Sequence, residues 1–270
     1  MTGGFTNRVR DVVAVRGRLC VGIDPHASIL TAWGLPQSAS GAREFGLRVV
    51  DAAAGTVGFV KPQVAFFERY GATGYAALEA VLAAARAAGL VVIADAKRGD
   101  IGTTVEAYGQ AWLTPGSPLE ADALTVAAYQ GLGSLDAVIA LAERVGKGVF
   151  VLTATSNPEA AATQQARRAD GPSVAAGIVA DIRERDSASL GVVVGATVDV
   201  ADFGVALGSL AGLPVLAPGF GAQGAELRDL ARLFGPAAPL TLANVARSVL
   251  GAGRDGLGEA LRRAREEVDG

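Results

Sequence analysis

Of the 24 basic residues in this 270-residue chain only three are lysines, Lys61, Lys97 and Lys147, and two of them close short apolar runs that read as strands. A compact ammonium can give up a proton near neutral pH where a guanidinium cannot. Lysine at a strand end in an arginine-rich chain is therefore a candidate for chemistry. Around Lys97 the run LVVIADAK continues into RGD, which sets Asp95, Lys97 and Asp100 in the pattern D-x-K-x-x-D. Strand alternation puts Val91, Ile93, Asp95 and Lys97 on one face and Val92, Ala94 and Ala96 on the other. Lys61 ends the run before, so four charges of alternating sign come together. A purely structural ion-pair network is the alternative reading, weakened because buried ions cost several kcal/mol each and are seldom chosen for stability alone. The functional reading is a lysine kept charged by two flanking carboxylates, placed to act as a general acid.

The elements that must position these groups recur along the chain. Apolar, β-branched runs at 20–24, 58–62, 90–97, 123–129, 148–155, 191–197, 214–219 and 239–245 are strand candidates. Segments with apolar residues at helical spacing lie between them, including 74–89, 134–146 and 225–235. Strand then helix, about eight times, predicts an α/β fold of (β/α)8 TIM-barrel type in a single domain over residues 1–270, with a doubly wound open sheet as the alternative. In such a barrel the C-terminal strand ends form the reactive face. Asp24, Lys61, Asp95, Lys97, Thr155, Ser156 and Asn244 all fall at such ends. An extra N-terminal helix around Thr6 to Val15 is expected to close the opposite end. The connection 156–173 exceeds the usual βα loop of about 2–6 residues and is expected to be a lid, an inserted helix or a solvated insertion.

Composition narrows the partners. A net charge of −3 gives no basic field for nucleic acid, and half the residues are apolar, enough for one large core. One cysteine, Cys20, forms no internal disulfide, and with one histidine, His26, leaves too few soft ligands for a structural zinc. Without a signal-like or membrane-spanning stretch, the expectation is a soluble, cytoplasmic protein acting on a small molecule.

The stretch DAKRGDIGTT (95–104) closely resembles the catalytic signature of orotidine 5'-monophosphate decarboxylases, and FVKPQVAFFERYG (59–71) with VGIDPH (21–26) is similar to the bacterial subgroup called type 2. LTATSNP (152–158), APGFGAQGA (217–225) and NVARSV (244–249) resemble that family's pyrimidine, phosphate-loop and phosphate-grip segments in the expected order. The resemblance implies conversion of orotidine 5'-monophosphate to uridine 5'-monophosphate and CO2, the last step of pyrimidine biosynthesis, with neither metal nor organic cofactor. It further implies that Lys97 protonates C6 of the pyrimidine, that Asp95 lies against the leaving carboxylate, and that Lys61 orients Asp95 and contacts the ribose. Asp24 would hold a ribose hydroxyl, Ser156 the pyrimidine amide edge, and Gln223 would bridge base and phosphate. Arg247 would grip the phosphate with backbone N–H groups of Ala246 and the loop around Gly221. Asp100 and Thr104 would enter the neighbouring subunit's site, making the enzyme a homodimer.

Other features have plainer readings. GFGAQG (219–224) matches G-x-G-x-x-G formally, but lies near the C-terminus and lacks the acidic residue expected about 20 positions on, so a single phosphate suits it better than a dinucleotide. His26 is read as a hydrogen-bonding group at the mouth of the site, Phe66, Phe67 and Tyr70 as a packing helix, and Lys147 as a residue of the opposite face. Three rivals remain: a magnesium-dependent sugar-phosphate lyase using the same carboxylates, a Schiff-base aldolase with Lys61 or Lys97 as nucleophile, and a non-catalytic phosphate-ligand binding barrel.

Overall fold

Eight parallel strands pair in chain order, and the eighth returns to the first to close a barrel. The computed structural model describes residues 4–270. The strands are β1 (Leu19–Ile23), β2 (Phe59–Pro62), β3 (Val91–Arg98), β4 (Ala123–Val126), β5 (Gly148–Ala154), β6 (Leu190–Val194), β7 (Val215–Pro218) and β8 (Thr241–Val245). The helices are α1 (Phe5–Arg16), α2 (Ala27–Ala32), α3 (Ala39–Ala53), α4 (Ala65–Glu68), α5 (Gly71–Ala87), α6 (Gly102–Leu113) and α7 (Asp136–Val145). They continue with α8 (Ala160–Gln164), α9 (Val174–Arg185), α10 (Leu207–Leu210), α11 (Leu230–Phe234), α12 (Arg247–Leu250) and α13 (Gly253–Asp269). All eight expected strands are present, and the open-sheet alternative is excluded by the β1–β8 ladder, in which Cys20 pairs with Asn244.

Period-two alternation divides the apolar residues into two layers. Cys20, Phe59, Val91, Ile93, Ala123, Phe150, Val193, Leu216 and Leu242 fill the barrel interior. Their neighbours Val21, Val60, Val92, Ala94, Leu124, Val149 and Val192 point outward to the helices. The helices answer with one apolar stripe each. In α3, capped by Ser38 Oγ accepting from Gly41 N at 3.3 Å, the buried residues Ala42, Phe45, Val49 and Ala53 recur at helical spacing. Two residues further along four of the strands the interior turns polar: Lys61 stands above Phe59, Asp95 above Ile93, Thr125 above Ala123 and Asn244 above Leu242, all four buried.

The lower end is plugged by α1. Phe5 and Val9 are fully buried in the interior layer, Phe5 edge-on to Phe150 at 5.9 Å; burial of each such side chain stabilises by about 1.5–3 kcal/mol. Arg8 pairs with Asp122 at 2.7 Å, and Thr6 donates both its N–H and its hydroxyl to the Ala188 carbonyl.

Two local expectations change, and a third segment takes one of its expected forms. Residues 225–235 form a 3-10 turn at Leu227–Asp229 and only five residues of α11, because Pro236 disfavours helical geometry in the residue before it, and Gly235 turns out at φ 45°. The fourth strand stops at Val126 rather than continuing to 129, where its register against β3 slips. The 156–173 connection contains α8, tethered back by Gln164, whose Oε1 accepts from Thr155 N at 2.8 Å and whose Nε2 donates to Thr155 Oγ1 at 2.9 Å. Among the described residues no helix is long and apolar enough to cross a membrane.

Candidate active site

Asp95 is the hub of the polar layer. Its Oδ2 accepts from Lys61 Nζ at 2.9 Å, and its Oδ1 accepts from Lys97 Nζ at 2.5 Å and from Thr125 Oγ1 at 2.9 Å. Lys61 is 4% exposed and Asp95 9%, whereas the Lys97 side chain is 43% exposed and reaches up to solvent. Burial opposes ionisation of Asp95, but Lys61 and Lys97 outweigh it and hold the carboxyl well below the usual range. Burial likewise opposes the charge on Lys61, and Asp95 with Asp24 more than offsets it, so the ammonium is held more firmly than an ordinary lysine's. Both members of the buried pair are therefore charged at neutral pH. Beneath them burial pushes the Cys20 thiol up to about 12, against the pull of Lys61.

Strict alternation does not carry Lys97 to this place. Between the pairs Ala94–Leu124 and Arg98–Val126 the β3–β4 register shifts, and Lys97 adopts φ 48°, left-handed backbone that a non-glycine residue holds at a cost of about 1–3 kcal/mol. The lysine reaches Asp95 from a bulge, the kind of distortion that re-aims side chains beside active sites.

A cavity of about 410 Å³ opens above the polar layer at the C-terminal ends of the strands. Lys61 and Asp95 form its floor, with Asp24 and Asn244 from the β1 and β8 ends. Asp24 Oδ1 and Asn244 Oδ1 are buried acceptors with no donor among the described residues, so the floor is ready to receive hydroxyl or amide N–H groups from a ligand. The far wall consists of Gly219, Phe220, Ala222 and Gln223 from the loop after β7, and of Ala246 and Arg247 after β8. Gly221 does not line the cavity; it shapes the loop, because φ is 73° and a Cβ there would lie 2.4 Å from Ser248 Oγ. A larger hollow of about 690 Å³ lies at the other end of the barrel beside α13, where Asp269 is engaged by Arg18 and Arg265 by the Thr56 carbonyl.

The site thus offers a carboxylate between two ammoniums at one end and a glycine loop with an arginine at the other, suited to a ligand whose reacting centre and anionic tail are far apart. The family model described as orotidine 5'-phosphate decarboxylase / HUMPS family matches residues 17–263. The chain belongs to that family. An orotidine 5'-phosphate decarboxylase of Corynebacterium efficiens is 48% identical over 263 residues, covering 94% of this chain and 92% of the relative. A crystal structure from Streptomyces avermitilis, provisionally assigned the same activity, superposes with a TM-score of 0.93 at 46% identity, covering 98% of this chain and 94% of the other. An OMP decarboxylase of Leishmania donovani superposes with a TM-score of 0.77 at 31% identity, covering 98% and 97%.

Within this decarboxylase-family barrel, the sequence-derived candidates fall into three groups. Asp24, Lys61, Asp95, Gln223, Ala246 and Arg247 meet at the cavity, and Lys97 joins them through Asp95. Ser156 stands at the rim, its Oγ donating to Gln223 Oε1 at 3.4 Å. Asp100 and Thr104 lie apart: Asp100 Oδ1 accepts from Ile101 N at 2.8 Å, and Thr104 is exposed in the first turn of α6. Within one chain Lys97 therefore has one carboxylate partner, not the expected two.

Four residues at the cavity or just behind it were not anticipated as site residues. Thr125 holds Asp95, and Gln63 Oε1 accepts from Lys61 Nζ at 3.4 Å. Asn244, noted only as a polar strand end, lines the floor. Phe66, expected merely to pack, forms part of the cavity wall and lies against His26 at 4.1 Å between ring centroids, the rings tilted by 56°. His26 itself lines the mouth, and Lys147 pairs with Glu120 at 2.8 Å on the opposite face.

Proposed function

We propose that this chain decarboxylates orotidine 5'-monophosphate to uridine 5'-monophosphate in the cytoplasm, using no metal or organic cofactor. The observation that carries the reading is the Lys61–Asp95 pair on the floor of a cavity whose opposite wall is an arginine and a glycine loop, with the Lys97 ammonium bonded to the same Asp95. Loss of CO2 breaks the C6–carboxylate bond and leaves an electron pair in an in-plane orbital that the pyrimidine ring cannot delocalise. A nearby positive charge must stabilise it, and Lys97 is the half-exposed ammonium available to do so. Its proton passes to C6, and the neutral amine regains a proton from solvent. Asp95 directs the Lys97 ammonium, and Lys61 keeps Asp95 ionised. The acceptors of Asp24 and Asn244 suit ribose hydroxyls, and Ser156 with Gln223 suits the pyrimidine edge. Arg247, with the Ala246 N–H and the loop around Gly221, suits the phosphate, whose binding energy excludes water and fixes the reacting end.

The magnesium-lyase alternative would need carboxylate lone pairs that Asp95 has committed to Lys61, Lys97 and Thr125. Among the described residues no group of three or more His, Cys, Asp or Glu is placed to hold a metal ion. Two assays test the reading. Purified protein with orotidine 5'-monophosphate should turn over after exhaustive chelation; activity lost to EDTA and restored by magnesium would favour the lyase. Borohydride should trap no substrate adduct, in contrast to an aldolase.

The working unit in this reading is a homodimer in which Asp100 and Thr104 of each subunit complete the other's site and supply the second carboxylate beside Lys97. In support, the surface around them carries Ile101 and Tyr129, 61% and 85% exposed. Mixing inactive Lys97→Ala and Asp100→Ala proteins should restore partial activity, because one composite site of the hybrid is intact. No recovery despite demonstrated subunit exchange would refute sharing.

A further inference from the structure

Thr125 lies inside the barrel on β4, 1% exposed, directly above Ala123. β3 and β4 pair at Ala94–Leu124 and next at Arg98–Val126, so Asp95, Ala96 and Lys97 on one strand face Thr125 alone on the other. The ladder has no regular partner there for the Lys97 amide, which instead donates to Thr125 Oγ1 at 3.0 Å. The hydroxyl has one proton to give in return. Asp95 Oδ1 is 2.9 Å away and the Ala94 carbonyl 3.5 Å, and the ionised carboxylate is both the nearer and the stronger acceptor. Donation therefore runs from the Lys97 main chain through Thr125 to Asp95, the same carboxylate that the Lys97 ammonium touches from above.

We infer that Thr125 is a positioning residue for the decarboxylation proposed above, on which this inference rests. Its hydroxyl closes a ring that fixes both ends of Lys97, backbone and ammonium, against one carboxylate oxygen, and so sets where the donated proton points. Thr125 lies behind Asp95, off the cavity wall, so it acts through Asp95 and Lys97. Two features single out the hydroxyl rather than the packing. Lys97 holds a left-handed backbone that persists only where its surroundings enforce it, and the Thr125 bond is the enforcement visible at that amide. The position is otherwise an ordinary buried strand site that β-branched valine would fill with the same shape.

The test compares Thr125→Val, which keeps the shape and deletes the hydroxyl, with Thr125→Ser, which keeps the hydroxyl and drops a methyl. Because displacement by about 1 Å can lower a rate by 10²-fold, kcat of Thr125→Val on orotidine 5'-monophosphate should fall by about 10- to 100-fold. KM and the Kd for uridine 5'-monophosphate should stay within about threefold, and Thr125→Ser should recover most of kcat. A Thr125→Val enzyme with kcat within about twofold of wild type overturns the inference. So does a loss shared equally by the serine variant, or one matched by lost nucleotide binding, which marks general distortion of the cavity. Should the valine variant not fold, Thr125→Ala against Thr125→Ser gives the same comparison, with the same outcomes supporting or overturning the role of the hydroxyl. An inactive wild type would instead sink the decarboxylase reading, so the two failures are told apart in one assay.

Discussion

Asp95→Ala and Lys97→Ala should both abolish efficient turnover yet part company in stability. Lys61 is 4% exposed, with its Asp95 partner oxygen 2.9 Å away. Deleting that carboxylate leaves an ammonium inside the barrel with, among the described residues, only Gln63 Oε1, at 3.4 Å, to accept from it. Breaking a buried pair by removing one partner costs about 3–5 kcal/mol. With an unfolding entropy near 2.1 cal/mol/K per residue, the 270 residues give about 570 cal/mol/K, so Tm should fall by about 5–9 °C. Lys97→Ala removes a side chain that is 43% exposed and leaves Asp95 paired to Lys61. That exposure puts its stability effect at about 0–1 kcal/mol, under about 2 °C. Its effect on rate is of another order: a unit charge about 4 Å from a developing carbanion, at an effective dielectric of about 20, is worth roughly 4 kcal/mol, or three powers of ten. Calorimetric melting of both variants, with decarboxylation followed at saturating substrate, reads the two effects separately. If Asp95→Ala melted within about 2 °C of wild type, or Lys97→Ala lost as much stability as Asp95→Ala, the buried and exposed halves of the charge chain would be wrongly assigned.

Further expectations follow from the same geometry. Asp95, held low, contributes stability that is present above about pH 4 and lost as pH falls towards its folded value, whereas Lys61, held high, contributes stability present below about pH 10 and lost as pH rises through its folded value. Denaturant melts should therefore show the stability of wild type relative to the Lys61→Met, Asp95→Leu double variant flat from about pH 5 to 9 and falling on the acid side; a relative stability that rises below about pH 4 contradicts the pairing. Cys20, its thiol pushed up to about 12, should resist alkylation in the folded protein at about pH 8 and react once unfolded. Quantitative labelling of the native protein would place the thiol elsewhere. Arg247→Ala should lower kcat/KM for the nucleotide by about 10- to 150-fold, the worth of one charge-assisted hydrogen bond, while leaving the phosphate-free nucleoside unaffected. Equal losses on both would remove Arg247 from the phosphate.

The barrel was legible because its signal is repeated: eight short β-branched runs separated by helical periodicity leave few architectures. Asp95 and Lys61 were legible because a charge ending an apolar run is costly and conspicuous. Thr125 was not, because inside ALTV a threonine reads as β-branched filler, and only the register slip opposite it exposes its role. The slip itself left no trace, since nothing in DAKRGD marks Lys97 for left-handed backbone. Asn244 was seen as a polar strand end but not as a ligand group, because that depends on its amide oxygen finding no partner in the folded barrel. The short α11 was over-read for a different reason: LRDLARLF has helical spacing, and the prolines that cut it short come after it.

The plug at the base of the barrel bears on how the chain is made. Thr6 and Arg8 bond to partners 182 and 114 residues downstream. At roughly 5–20 residues per second, the segment around Thr6 waits about 10–40 s before Ala188 exists to receive it. Until then Phe5 and Val9 have only part of their dock, formed by residues up to Phe150, and the half-built sheet has no secured floor. Sealing the base therefore waits on the second half of the chain, and a bulky fusion ahead of Phe5 would burden newly made chains at that step while leaving the finished site untouched.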